Sequence, residues 1–261
     1  MHSTQKPNVA GLFYPADRQV LRQEVDSFLA QAAHRQGPPP KALIAPHAGY
    51  IYSGPVAGSA YARLRQVAAQ IRRVVVLAPS HRVAFRGIAA SPADSFETPL
   101  GEIQVDSAAV KKALQLPQVN QVPQAFDGEH ALEVQLPFLQ EVLDDFLLVP
   151  LIVGEAEAQE VAEVLEQLWG GEETLIVISS DLSHYQDYDS ARQHDQHTTR
   201  IIEALDDRLA YGDACGRNPI RGLLLAARQH GLQAETLDLR NSGDTAGDKD
   251  RVVGYGAYVF H

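Results

Sequence analysis

"ALIAPHAGY" (residues 42–50) and "VVVLAPSHR" (74–82) follow one plan: an apolar run meets Ala-Pro, and a histidine stands within the next two residues. Short runs that are continuously apolar, rather than alternating, read as strands covered on both faces, as in a parallel sheet. Proline lacks the N–H that a ladder needs, so it marks where each strand stops. His47 and His81 are thereby set just past two strand ends.

The same reading extends along the chain. Strands are expected at 42–45, 72–78, 146–154, 174–180, 234–240 and 252–260. Helical patterning begins at Asp17, where Val20, Leu21, Val25, Phe28 and Leu29 share one face, and the proline-rich loop 34–40 stops it. Further helices are expected over 55–70, 128–143, 156–169, 194–210 and 218–231. Residues 87–106 break the rhythm with extended segments interrupted by Pro and Gly, the pattern of a hairpin packed on the main sheet. Strands alternating with helices predict an α/β fold: a single domain over 1–261, with a mostly parallel central sheet flanked by helices.

Composition narrows the function classes. Of 261 residues, 45% are apolar and 21% charged, enough apolar surface for a sizeable core. A formal net charge of −11, with no cluster of Lys and Arg, argues against a nucleic-acid or anionic-membrane partner. No run approaches the roughly 18 apolar residues of a membrane span, and the N-terminal stretch lacks the charged-then-apolar pattern of a signal peptide. Cys215 is the only cysteine, so nothing demands an oxidising compartment. The expected location is the cytoplasm.

Ligands of open α/β sheets bind outside the carboxyl ends of the strands. The residues past those ends are therefore the candidates: His47, His81, Asp181 and His184 in "SSDLSHY", and Asn241 and Asp244 in "NSGDT". The glutamates of "IVGEAEA" are explained instead by the helix that follows, whose N-terminal dipole favours negative charge. An isolated histidine after a strand more often caps or packs, and Asp181 or Asp244 alone could cap a helix or make an Asx-turn. Convergence on one edge raises the functional reading. Two imidazoles and a carboxylate with open positions form the facial triad of Fe(II) oxygen chemistry, which His47, His81 and Asp244 would supply. His184 would then serve as acid–base group with Asp181 as its orienting partner, on condition that 181–184 turns helical. A zinc site with bound water is the chemical alternative.

Taken together, "AGLFYPAD", "APHAGYIYSGPVAGSAY", "VVVLAPSHR", "ETPLGEIQVD", "EHALEVQLPFLQ", "SSDLSHY", "CGRNPI" and "NSGDT" resemble the Memo family, whose bacterial and archaeal members are called AmmeMemoRadiSam system protein B. The resemblance runs from about residue 8 to the C-terminus. It implies the fold of class III extradiol ring-cleaving dioxygenases, a non-haem iron family. By that resemblance His47 and His81 match metal-binding histidines and His184 the acid–base histidine. The third ligand there is a glutamate near the C-terminus, replaced by cysteine in animal relatives; Asp244 takes the place here. The implied cofactor is a divalent metal, Fe(II) first, with Zn and Cu as alternatives. The implied partners are a small-molecule substrate and the AMMECR-type and radical-SAM proteins of the system name.

The remaining candidates carry weaker signals. His130 could line the pocket, as the resemblance suggests, or pack a helix start. Cys215 precedes a helix, where a thiol can be activated, but free cysteines are commonly buried fillers. Tyr50, Tyr52 and Ser53 could wall a pocket, and Arg82 or Arg86 could clamp an anion. His194 and His197 read as a solvated helix face; His2, His34, His230 and His261 carry no signal. Three functions compete: a metal-dependent oxidoreductase, a zinc-type hydrolase on the same ligands, and a non-catalytic binding protein with a vestigial pocket.

Overall fold

The computed structural model describes residues 2–32 and 37–261, so the expected loop at 34–40 lies partly, and His34 wholly, outside the described residues. The chain opens with β1 (Thr4–Gln5), α1 (Arg18–Gln31), β2 (Ala42–Ala45) and α2 (Tyr50–Tyr61). There follow β3 (Arg73–Pro79), β4 (Ile88–Ala90), β5 (Ser95–Thr98), β6 (Gly101–Gln104), α3 (Ser107–Ala113) and β7 (Val119–Gln121). Next come α4 (Leu136–Val142), β8 (Leu147–Val153), α5 (Ala158–Leu168), β9 (Thr174–Ser179) and β10 (His184–Gln186). The last elements are α6 (Tyr188–Glu203), α7 (Arg217–Gln229), β11 (Ala234–Asn241), α8 (Ser242–Thr245) and β12 (Val252–Phe260).

All six strands expected from the apolar runs are present, and their pairing explains why those runs are apolar throughout. The main sheet has the order β10-β12-β2-β9-β3-β8-β4-β7, with β11 on β12. Its centre, β2-β9-β3-β8, is parallel. Every residue of β2 and β9 is buried, because helices cover both faces. The fold is thus α/β with a parallel centre and antiparallel margins: β12 runs against β2, and β4 against β8. Since β11 in turn opposes β12, it runs with β2, and its carboxyl end reaches the same edge as those of the central strands.

Long-range packing moved several boundaries. Residues 87–106 divide: β4 joins the main sheet, while the β5–β6 hairpin pairs with β1 in a separate three-stranded sheet. Helix α2 starts at Tyr50 rather than at 55. Tyr50 is buried against Tyr14, Phe28 and Phe138, with ring centroids 5.5, 6.2 and 5.1 Å away, and that burial anchors the first turn ahead of Pro55. A Cβ at Gly54 would come within 2.3 Å of the Phe28 ring, so glycine there lets α1 lie close on α2. The helix expected from 128 starts late, as a 3₁₀ turn at Glu133–Gln135 that continues into α4. The helix expected at 194–210 starts early, because Asp187 caps it through the Ser190 N–H. The short edge strand β10 carries no apolar pattern that would signal it in the sequence.

Helices α5 and α7 pack together beneath the carboxyl edge and fix the segment that carries Cys215 and Arg217. Their contact depends on Gly222, where a Cβ would lie 2.3 Å from the Cβ of Val161. Gly222→Leu should therefore overpack the joint and cost about 1–3 kcal/mol. The expected readout is a lowered urea midpoint at unchanged slope; an unchanged midpoint would mean that α7 shifts freely on α5.

Candidate metal centre

Three imidazoles meet at the carboxyl edge. One ring nitrogen from each of His47, His81 and His130 lies within 4.8 Å of the others. His47 follows β2 and His81 follows β3, as the Ala-Pro pattern implies, and His130 comes from the loop before α4. Ring centroids are 5.2 Å apart for His47 and His81, 5.4 Å for His47 and His130, and 4.9 Å for the stacked His81 and His130. Phe13 closes the outer side of His130 at 4.6 Å.

Hydrogen bonds fix which nitrogen two of the rings, His47 and His81, offer. The Ser179 hydroxyl donates to the Ala131 carbonyl at 2.6 Å and accepts from Gln135 Nε2 at 2.7 Å. Its remaining capacity is as acceptor, so His47 Nδ1, 2.9 Å away, carries the proton and Nε2 keeps its lone pair. Glu129 does the same for His81: its carboxylate accepts from Nδ1 at 2.9 Å and from the His81 backbone N–H at 2.6 Å. A ligand histidine whose second nitrogen donates to an oxygen acceptor is the usual arrangement in metal sites. Burial would raise the Glu129 carboxyl, but the hydrogen bonds from His81 and from the N–H groups outweigh it and hold the group below its ordinary value. Burial also lowers the rings: His47 well below its usual range, with His81, His130 and His184 adding repulsion, and His130 to about 4. A neutral ring with its lone pair directed by a hydrogen bond, as at His47, suits a divalent cation.

Asp181 is buried behind His47. Its Oδ1 accepts the His47 backbone N–H at 2.8 Å, and Oδ2 lies 4.0 Å from His47 Nε2. Burial pushes its carboxyl up to about 6. Cys215 also joins the group: Sγ lies 3.2 Å from His47 Nε2 and accepts the Asp181 N–H at 3.3 Å. Burial, with Asp181 nearby, pushes this thiol up, so the S–H stays on and donates to His47. An activated thiolate is not what this environment favours.

The placement of the other expected residues differs in four respects. Asp244 stands apart from the histidine group: Oδ2 caps Asn241 N at 3.0 Å, Oδ1 accepts the Tyr188 hydroxyl at 2.5 Å, and the residue is exposed. Its carboxylate is taken up by the short helix α8, and it is His130 that lies with His47 and His81 in the group that could hold a metal ion. His184 lies on β10, not in a helical turn with Asp181; its Nδ1 donates to the Leu182 carbonyl at 2.8 Å, which leaves Nε2 as acceptor. Tyr50 and Ser53 are buried and bond to the carbonyls of Val134 and Ala48, so they build the core rather than a pocket wall. His194 is not on a solvated face: Nε2 donates to Asp213 at 2.8 Å and Nδ1 accepts from Gln186.

A cavity of about 720 Å³ opens beside the histidines, lined by His81, His184, His194 and Cys215 among others. That is the size of a small-molecule site, at the edge where α/β sheets place them. Arg82 lines it as well, whereas Arg86 turns outward to Glu160. Glu129, Ser179 and Gln135 carry no signal of a role in the sequence. Glu129 stood beside His130 and Ser179 ends the "TLIVIS" strand, but their partners are distant in sequence.

Comparison with known proteins gives a concordant result. A family model described as Memo-like protein matches residues 5–259. A MEMO1 family protein of Aquifex aeolicus is 35% identical over 98% of both chains. One from Nitrosopumilus maritimus is 31% identical over 98% of this chain and 99% of that one. Among solved structures, an uncharacterized Escherichia coli K12 protein, JW3007, shares the fold at TM-score 0.56 and 14% identity, over 84% of this chain and 98% of that one.

The buried neutral ring of His130 has a consequence for stability. The unfolded chain takes up its proton near the ordinary 6.5, the folded ring only near 4. Unfolding is therefore favoured by protons across that window, and this contribution to stability is lost as pH falls from about 6.5 to 4. His130→Asn should flatten the slope of unfolding free energy against pH there. An unchanged slope would place the ring in solvent.

Proposed function

The chain belongs to the Memo-like protein family, and from that premise we propose that it is a divalent-metal oxidoreductase holding Fe(II) on His47, His81 and His130. The supporting observation is the hydrogen-bonded orientation of His47 and His81: Nδ1 of each ring is the donor, so Nε2 is the acceptor, met at His47 only by the weak Cys215 S–H, beside a substrate-sized cavity that His81 lines. Such an ion supplies open coordination positions for a small-molecule substrate and, as iron, electron transfer with dioxygen.

The chain's own residues have separate tasks. Ser179 and Glu129 hold the two rings in the ligand tautomer. His184 presents Nε2 to take up or return a proton at the substrate, while Nδ1 stays fixed to the Leu182 carbonyl. Asp181 positions the His47 backbone, and Phe13 shields His130 from water.

A second reading has an observation in its favour. Three imidazoles without a carboxylate form a ligand set that catalytic zinc uses, and on it the protein would be a hydrolase indifferent to oxygen. Iron is preferred because the Memo-like motifs of the sequence imply a non-haem iron fold.

Purification without oxygen, followed by elemental mass spectrometry, tests both. Near-stoichiometric iron is expected in wild type and in Asp244→Ala, with loss in His47→Ala, His81→Ala and His130→Ala. Iron lost from Asp244→Ala would return that carboxylate to the ligand set. Zinc in every preparation, without oxygen consumption, would favour the hydrolase. Folded protein that takes up no metal under any loading would overturn both.

The orienting partner of His81 gives a finer expectation. Glu129→Gln should weaken metal affinity by about 10–100-fold while leaving the three ligands in place. Competition with a chromogenic chelator measures it; an unchanged affinity would mean that His81 does not ligate through Nε2.

A further inference from the structure

The wall of the cavity next to the histidines is formed by the start of α7. Arg217 there is half-buried, and its guanidinium is fixed by two neutral acceptors: Nε donates to the Leu209 carbonyl at 2.9 Å and Nη1 to Asn218 Oδ1 at 3.0 Å. Asn218 is itself pinned, its Nδ2 donating to the Gly154 carbonyl at 2.9 Å. Nη2 of Arg217 is left for the cavity. Among the described residues no carboxylate pairs with Arg217 or with Arg82, although acidic groups pair with eight other arginines of the chain. A guanidinium partly withdrawn from water, held rigid and lacking a counter-charge, is a poor structural element and a good receptor.

The charge balance of the cavity points the same way. The protein carries a formal −11, yet this lining brings together two guanidiniums, Arg82 and Arg217, against one carboxylate, Glu155. One net positive charge remains, a match for a monoanion. Arg82 lies near enough to His130 for its charge to act on that ring, so it borders the imidazole end, while Arg217 and Asn218 mark the α7 wall.

We propose that the cavity takes a small molecule bearing a carboxylate, which seats on Arg217 Nη2 and orients the rest of the molecule toward His81 and His184. The assignment rests on the proposed function only in naming that molecule the substrate; the anion site itself needs no metal. A planar carboxylate fits the fork geometry of a fixed guanidinium, and a cavity of about 720 Å³ leaves room for an attached ring or chain.

Titration calorimetry with benzoate, benzamide and phenyl phosphate tests this on the protein as purified, with metal content measured in parallel. Benzoate is expected to bind, and at least tenfold more tightly than its neutral isostere benzamide. Arg217→Met should remove that preference, Arg217→Lys should restore part of it, and Arg86→Met, on the outer surface, should leave it intact. Equal binding of benzoate and benzamide, or benzoate affinity unchanged in a folded Arg217→Met, would overturn the proposal. Phenyl phosphate binding tighter than benzoate would overturn the choice of carboxylate. Benzoate bound through Arg217 in protein that takes up no metal would uphold the anion site and sink the metal reading alone.

Discussion

One hydroxyl holds three segments of this protein in register. Ser179, the last residue of β9, donates to the carbonyl of Ala131, accepts from the side chain of Gln135 and accepts from His47 Nδ1. The end of the sheet, the loop before α4 and the segment after β2 are thus tied at a single buried atom. Each bond fixes the sense of the next. With one proton to give, the hydroxyl must spend it on a carbonyl, and so the imidazole must be the donor on its Nδ1 side. The tautomer of His47 follows from the packing of a loop some 85 residues away in sequence.

Glu129 does the same on the other side of the group, and it explains the local fold as well as the site. Its carboxylate collects the N–H groups of His81, His130 and Ala131 together with His81 Nδ1. Those backbone donors would otherwise begin a helix at about residue 129. With them satisfied by a side chain, the chain stays open until Glu133, and His130 is free to turn into the cluster. A carboxylate removed from water is costly alone, but four hydrogen bonds offset that cost here.

The strands were legible because their burial is two-sided and leaves continuous apolar runs, and the Ala-Pro punctuation showed where His47 and His81 would stand. That His130 would join them was not legible. From spacing alone Asp244 and His130 were both plausible neighbours of the site, one after a strand and the other apparently inside a helix. What separates them is tertiary: Asp244 is consumed by capping α8 and by Tyr188, whereas Glu129 releases His130 from helix. The same applies to β10, whose residues have no apolar pattern and which exists because β12 offers an edge. His194 looked solvated on its own helix, and only the chain folding back through Asp213 and Gln186 encloses it.

Three imidazoles turned toward one another are not a favourable packing motif by themselves. Lone pairs that face each other repel, and at His47 burial has removed the water that would satisfy them. At His47 the acceptor Nε2 meets the Cys215 S–H, a weak donor on a strong acceptor. A cation would satisfy all three at once and would bind the folded state alone, since His47, His81 and His130 are scattered in the unfolded chain. By linkage such binding stabilises the fold by about 2.7 kcal/mol at a hundredfold excess over Kd. Such a cation would offset the cost of the polar cluster, and the hydrogen bonds of Ser179 and Glu129 hold His47 and His81 in the tautomer that it would need.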